Sequence, residues 1–109
     1  MNKLTDLSAA LDSLEIPWAN TAFRNEEEPS PPFICLVAGF SETSYADNSE
    51  YIRFMGYDVA LYVSERDYKR EKDIEAALGA AGINYEKAVT FIDAEALIET
   101  AYSVAVVED

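Results

Sequence analysis

The chain contains no histidine and a single cysteine, Cys35. The first absence removes the side chain that most often acts as general base and as transition-metal ligand near neutral pH. The second precludes an internal disulfide and suits a reducing compartment. Basic residues are scarce: 8 Lys and Arg stand against 21 Asp and Glu, giving a net charge of −13. Affinity for phosphate backbones rests mostly on Lys and Arg, so direct, sequence-specific nucleic-acid binding is disfavoured. An anionic membrane surface is disfavoured for the same reason. No apolar run approaches the roughly 20 residues that span a bilayer. The segment Met1-Asn2-Lys3-Leu4-Thr5-Asp6 lacks the apolar stretch of a signal peptide. These absences set the expectation of a cytoplasmic protein with no membrane partner.

What is present is a foldable domain. Of 109 residues, 50% are apolar and 12% aromatic, enough for one core without disulfides or metal. A single domain over 1–109 is expected. The charge is uneven. Residues 64–82 hold four basic and five acidic side chains, whereas the remainder holds four basic and sixteen acidic. The near-neutral surface is therefore expected on that segment.

Hydrophobic spacing gives the elements. Leu4, Leu7, Leu11 and Leu14 recur at helical intervals and predict an amphipathic helix over 2–14, limited by Pro17. Trp18 to Phe23 reads as a short strand, and Arg24 to Pro32 as a polar, proline-bearing loop. The run Phe33–Ala38 predicts a buried strand. Gly39 to Glu50, with Asp47-Asn48-Ser49, reads as a loop or hairpin tip. Tyr51 to Val63 predicts the longest strand, with Met55, Tyr57, Val59, Leu61 and Val63 on one face and Gly56 marking a bulge or close backbone approach. Ser64 or Asp67 caps a second helix whose apolar stripe is Ile74, Ala77, Leu78 and Ala81, and Gly82 ends it. Ile83–Ile92 is a strand, Asp93–Ala96 a turn or short helical piece, and Leu97–Val107 the last strand. The order α-β-β-β-α-β-β predicts an α+β domain: a mainly antiparallel sheet of four to five strands with two helices on one face.

No catalytic constellation emerges. Cys35 lies in an apolar run and reads as a small buried hydrophobe. Glu26-Glu27-Glu28 reads as a solvated loop, and Asp47-Asn48-Ser49-Glu50 lacks the length and central glycine of a calcium loop. The expectation is a non-enzymatic protein with no metal and no cofactor. Tyr57, Tyr62, Tyr85 and Tyr102 fall on predicted strands, where packing is their expected role. Tyr45 and Tyr51 flank a polar loop and are candidates for a partner contact, since tyrosine offers an apolar ring and a water-tolerant hydroxyl.

One stretch carries a resemblance. It begins Tyr45-Ala46-Asp47-Asn48, passes Tyr51 and runs to Asp58-Val59-Ala60-Leu61-Tyr62-Val63. It continues through Asp67, Asp73-Ile74-Glu75 and Leu78, then Gly82-Ile83-Asn84-Tyr85-Glu86-Lys87, and closes on Ile98-Glu99-Thr100-Ala101-Tyr102. Covering rather more than half of the chain, this order resembles the tail-terminator, tail-completion or minor tail proteins of siphophages and prophages of Gram-positive bacteria.

The resemblance implies a structural protein of the virion. Several copies, usually six, form a ring on the last ring of the tail-tube protein, stop tube polymerisation and present a surface to the head-completion or connector protein. It implies the host cytoplasm during assembly and the virion tail thereafter. Within that reading Tyr45, Asp47, Asn48 and Tyr51 are interface candidates. Arg66, Lys69 and Arg70, set against the acidic remainder, could supply one complementary pair of ring contacts. A solvated helix face with local pairs such as Lys69 with Asp73 is the plainer reading of those bases. The acidity would make a lumen that repels DNA. Two alternatives stay open: another neck or connector protein of the same module, and an acidic DNA mimic that inhibits a host nuclease.

Overall fold

The computed structural model describes residues 3–20, 30–45 and 51–107, with the backbone alone for 40–45 and 51–54. Its first helix, α1 (Leu4–Asp12), follows the leucine spacing: Leu7 and Leu11 are fully buried, and Leu4 and Leu14 pack at the margin of the core. Asp6 accepts a hydrogen bond from the Lys3 backbone N–H at 2.8 Å and puts negative charge at the helix start, where free amides favour it. The helix stops at Asp12, ahead of Pro17, and Glu15 turns the chain with a left-handed φ of 58°.

Five strands follow in one sheet, ordered β1-β2-β3-β5-β4. They are β1 (Trp18–Asn20), β2 (Phe33–Tyr45), β3 (Tyr51–Val63), β4 (Tyr85–Ile92) and β5 (Leu97–Val107). The second helix, α2 (Tyr68–Ala80), joins β3 to β4, and a short 3-10 turn (Asp93–Glu95) joins β4 to β5. The α+β class and the element order are those expected from the sequence. Three of the pairings are antiparallel and β1 joins β2 in parallel, so the sheet is mixed.

The segment expected to be a loop from Gly39 is strand as far as Tyr45. Residues 40–45 pair with 51–56 of β3, and Tyr45 lies opposite Tyr51. Polar Ser, Thr and Glu residues hid the strand because they break the apolar pattern, while β3 supplies the hydrogen-bonded ladder they need. Residues 46–50 lie outside the described residues, as do 21–29 of the expected strand end and proline-bearing loop. The irregularity foreseen at Gly56 sits on the partner strand: the register shifts between Ala38 and Phe40, and Gly39 packs over the Gly56 carbonyl.

Both helices cover one face. Leu7, Leu11, Ile74 and Leu78 meet Ile34 and Leu36 of β2, Tyr57, Val59, Leu61 and Val63 of β3, and Tyr102, Val104 and Val106 of β5. Burial of each large side chain contributes about 1.5–3 kcal/mol. Asp67 caps α2 by accepting from the Arg70 N–H at 3.1 Å. The helix ends in a Schellman turn: Ile83 N–H donates to Leu78 C=O at 2.9 Å and Gly82 N–H to Gly79 C=O at 3.0 Å, with Gly82 at φ 73°. The opposite face of the sheet carries Phe33 stacked on Tyr62, with Cys35 and Ala60 buried beside them. Tyr62 Oη donates to Glu99 at 2.7 Å, and burial followed by that carboxylate pushes the phenol above its ordinary value.

Candidate functional site

The stripe of α2 that faces the sheet is not wholly apolar. Glu71, one turn before Ile74, is 1% exposed. Its carboxylate is held on two sides. Arg66, in the turn before α2, donates through Nε at 2.9 Å and Nη2 at 3.1 Å. Lys87 Nζ of β4 reaches Oε1, the oxygen that also accepts from Arg66 Nη2, at 2.8 Å and also bonds Glu75 at 2.9 Å. Tyr102 of β5 donates its Oη to Glu75 at 2.8 Å. Two carboxylates, two cations and a phenol thus tie α2 to β4 and β5, with the polar contacts of each carboxylate met by neighbours.

The electrostatics follow from this geometry. The Arg66 hydrogen bond, opposed by burial and helped by Lys87, holds Glu71 below the ordinary carboxylate range. Lys87 does the same for Glu75, and Glu71 and then Glu75 hold Lys87 above the ordinary lysine range. Burial, reinforced by Glu75, pushes the Tyr102 phenol up. Every member is fixed in its usual neutral-pH state, so the cluster resists proton transfer. It joins the edge strand β4 and its neighbour β5 to the helix above them. Among the described residues no three acidic or cysteine side chains converge as a metal site requires.

The remaining candidates are surfaces. Strand β4 ends the sheet, and every residue from Tyr85 to Phe91 is exposed. Val89 at 43% and Phe91 at 62% are large apolar side chains left in water. Tyr85 packs edge-on against Tyr102 and keeps 36% exposure. At the other side of the sheet, β1 covers only Ile34 to Leu36 of β2. Among the described residues, 37–45 of β2 have no strand on that side.

The residues singled out from sequence fall into three groups. Tyr45 and Tyr51 face each other at the far end of the β2–β3 hairpin, with only their backbone described. Asp47 and Asn48 lie outside the described residues. Arg66, Lys69 and Arg70 lie together at the start of α2 but do different things. Arg66 is committed to Glu71 and lies 4.6 Å over the Tyr68 ring, and Arg70 pairs with Asp67. Lys69 projects into water with a loose 3.6 Å pair to Asp73. Sequence reading missed Glu71 and Lys87. The helical interval from Glu71 to Ile74 and Leu78 was the available signal, since it puts a carboxylate on the buried stripe. No protein-family model and no curated protein matches the chain.

Proposed function

We propose that the chain is a structural phage tail protein that closes into a ring on the tail tube, ends tube polymerisation and offers the head-completion protein its joining surface. The observation that carries this reading is the distribution of charge over the fold. Among the described residues the five strands hold 4 of 14 acidic side chains, while the helices and the turns between elements hold the other 10. Copies of a chain with net charge −13 repel one another, and near-neutral strand edges are where contact costs least. A ring needs two different, complementary patches on each copy, and a sheet with two unlike edges provides them. The acidic surface suits a lumen through which DNA slides without sticking. The element order agrees with the layout that the family resemblance implies.

The test is a capping assay. Purified tail-tube protein polymerises alone or with this chain added in substoichiometric amount. Tubes that stop growing, with a ring of density at one end in negative stain, support the reading. Tubes of unchanged length refute it. A protein that leaves tubes alone but binds the assembled head connector is a neck protein of the same module.

A further inference from the structure

We propose that the outer edge of β4 pairs antiparallel with the β1 edge of a second copy of this chain, so that the sheet continues from copy to copy. The choice of a second copy as occupant rests on the ring reading above; the location rests on four observations.

The first is that β4 is unguarded. Sheet edges are commonly protected by a proline, a bulge or an outward lysine. The strand Tyr85–Ile92 has no proline, pairs with β5 without a register shift, and holds one acidic and one basic residue. Its lysine is Lys87, drawn beneath α2 to Glu71 and Glu75. What remains on the helix side of the edge is Tyr85, Val89 and Phe91.

The second is direction. β1 is parallel to β2, and three successive antiparallel pairings lead from β2 through β3 and β5 to β4. β4 therefore runs opposite to β1. A copy added by rotation about an axis along the strands brings the two edges together antiparallel, the more stable pairing, with the helices on one common face.

The third is level. A single transverse row crosses the sheet from Trp18 through Ile34, Leu61 and Thr100 to Val89. Continuation at that level brings exposed Val89 beside the half-buried Trp18 of the next copy, both on the helix-covered side.

The fourth is charge. Residues 66–72, at the start of α2 where Glu71 meets Lys87 of β4, carry four basic and two acidic residues. The end of α1 lies against β1, where the Trp18 Nε1–H donates to Asp12 at 2.9 Å, and Asp12 and Glu15 are exposed there. Sheet continuation sets exposed Lys69 and Lys72 of one copy beside those acids of the next.

The experiment compares the wild type with Val89→Lys and Ala105→Lys. Ala105 is exposed on β5, an inner strand, on the face away from the helices, and serves as the control. Light scattering across a concentration series gives mass, circular dichroism gives fold, and hydrogen exchange gives protection of the β4 amides. The expected result is a wild type that grows to rings as concentration rises, with β4 amides at least tenfold slower to exchange in the rings. Val89→Lys should keep the wild-type spectrum and the mass of one chain, and Ala105→Lys should assemble like the wild type. The inference is overturned by a wild type that stays monomeric, by Val89→Lys rings, or by β4 amides whose exchange does not slow on assembly. Val89→Lys rings that still cap tubes would sink the edge inference and leave the capping reading standing. Wild-type rings paired through β4 that leave tube growth unchanged would do the reverse.

Discussion

Lys87→Met tests the buried network, because it removes one partner while leaving the carboxylate that most needs it. Glu71 is 1% exposed, whereas the Lys87 side chain is 33% exposed. Removing one partner of a fully buried ion pair costs about 3–5 kcal/mol, mostly through the stranded charge. Here Arg66 stays on Glu71, and Lys87 reaches water, so the pair is partly screened. The expected loss is about 2 kcal/mol at pH 7, near 8 °C in melting temperature for a domain of this size. Glu71→Leu should cost less, about 1 kcal/mol, since the cations it leaves behind hydrate easily and an apolar side chain replaces a buried charge. The order of the two losses is the point: a stranded buried anion is worse than stranded, partly exposed cations.

The pH dependence has a definite sign. Glu71 and Glu75 titrate below their ordinary value of 4.5 in the folded chain. Their contribution is therefore complete above about pH 5 and is lost as pH falls through the lowered folded values. Lys87 titrates above its ordinary 10.5, so its contribution is complete below that value and is lost as pH climbs through the raised one. The deficit of Lys87→Met in urea unfolding should be flat from about pH 5 to 10 and shrink below pH 4.5. A deficit under about 0.5 kcal/mol at pH 7, or one unchanged at pH 3.5, refutes the reasoning. So does a larger loss in Glu71→Leu than in Lys87→Met.

Two further substitutions probe single features. Thr100 is fully buried, and among the described residues its hydroxyl has no hydrogen-bond partner. Thr100→Val keeps the shape and removes the unmet group, so urea unfolding should show a gain of about 1 kcal/mol. Gly82 holds φ at 73° where α2 ends, and Gly82→Ala should lose about 1 kcal/mol in the same assay.

The parts of the fold that were legible in the sequence are those with one buried face. Leucine spacing located α1, and alternation from Met55 to Val63 placed β3 and its core side. Gly82 and Asp67 marked the ends of α2 because each has a backbone reason to stand there. Segments with weaker one-sided burial were harder. Gly39 to Tyr45 reads as polar loop, and only its pairing with β3 makes it strand. Ile83–Ile92 reads as a strand without a place in the sheet, and β5 inserts between β3 and β4 and leaves β4 at the edge. Spatial strand order is a tertiary fact that periodicity does not carry. The Glu71 network was hidden for a related reason: its partners Arg66, Lys87 and Tyr102 come from three parts of the chain.

The network and the open edge are two consequences of one side chain. A lysine at the middle of an exposed edge strand ordinarily discourages pairing, because a neighbouring strand would have to desolvate it. Lys87 is instead retracted onto Glu71 and Glu75, which fixes β4 against α2 and removes its only positive charge from the path of an incoming strand. A neutral edge of this kind invites indefinite stacking, the route to fibres. The acidic remainder opposes that outcome, since each added copy brings a further charge of −13 into the stack. A closed ring satisfies every edge with a finite number of copies, whereas an open stack always leaves two edges unpaired while its charge grows. If β4 pairs as proposed, attraction at that edge combined with repulsion elsewhere favours closure over extension.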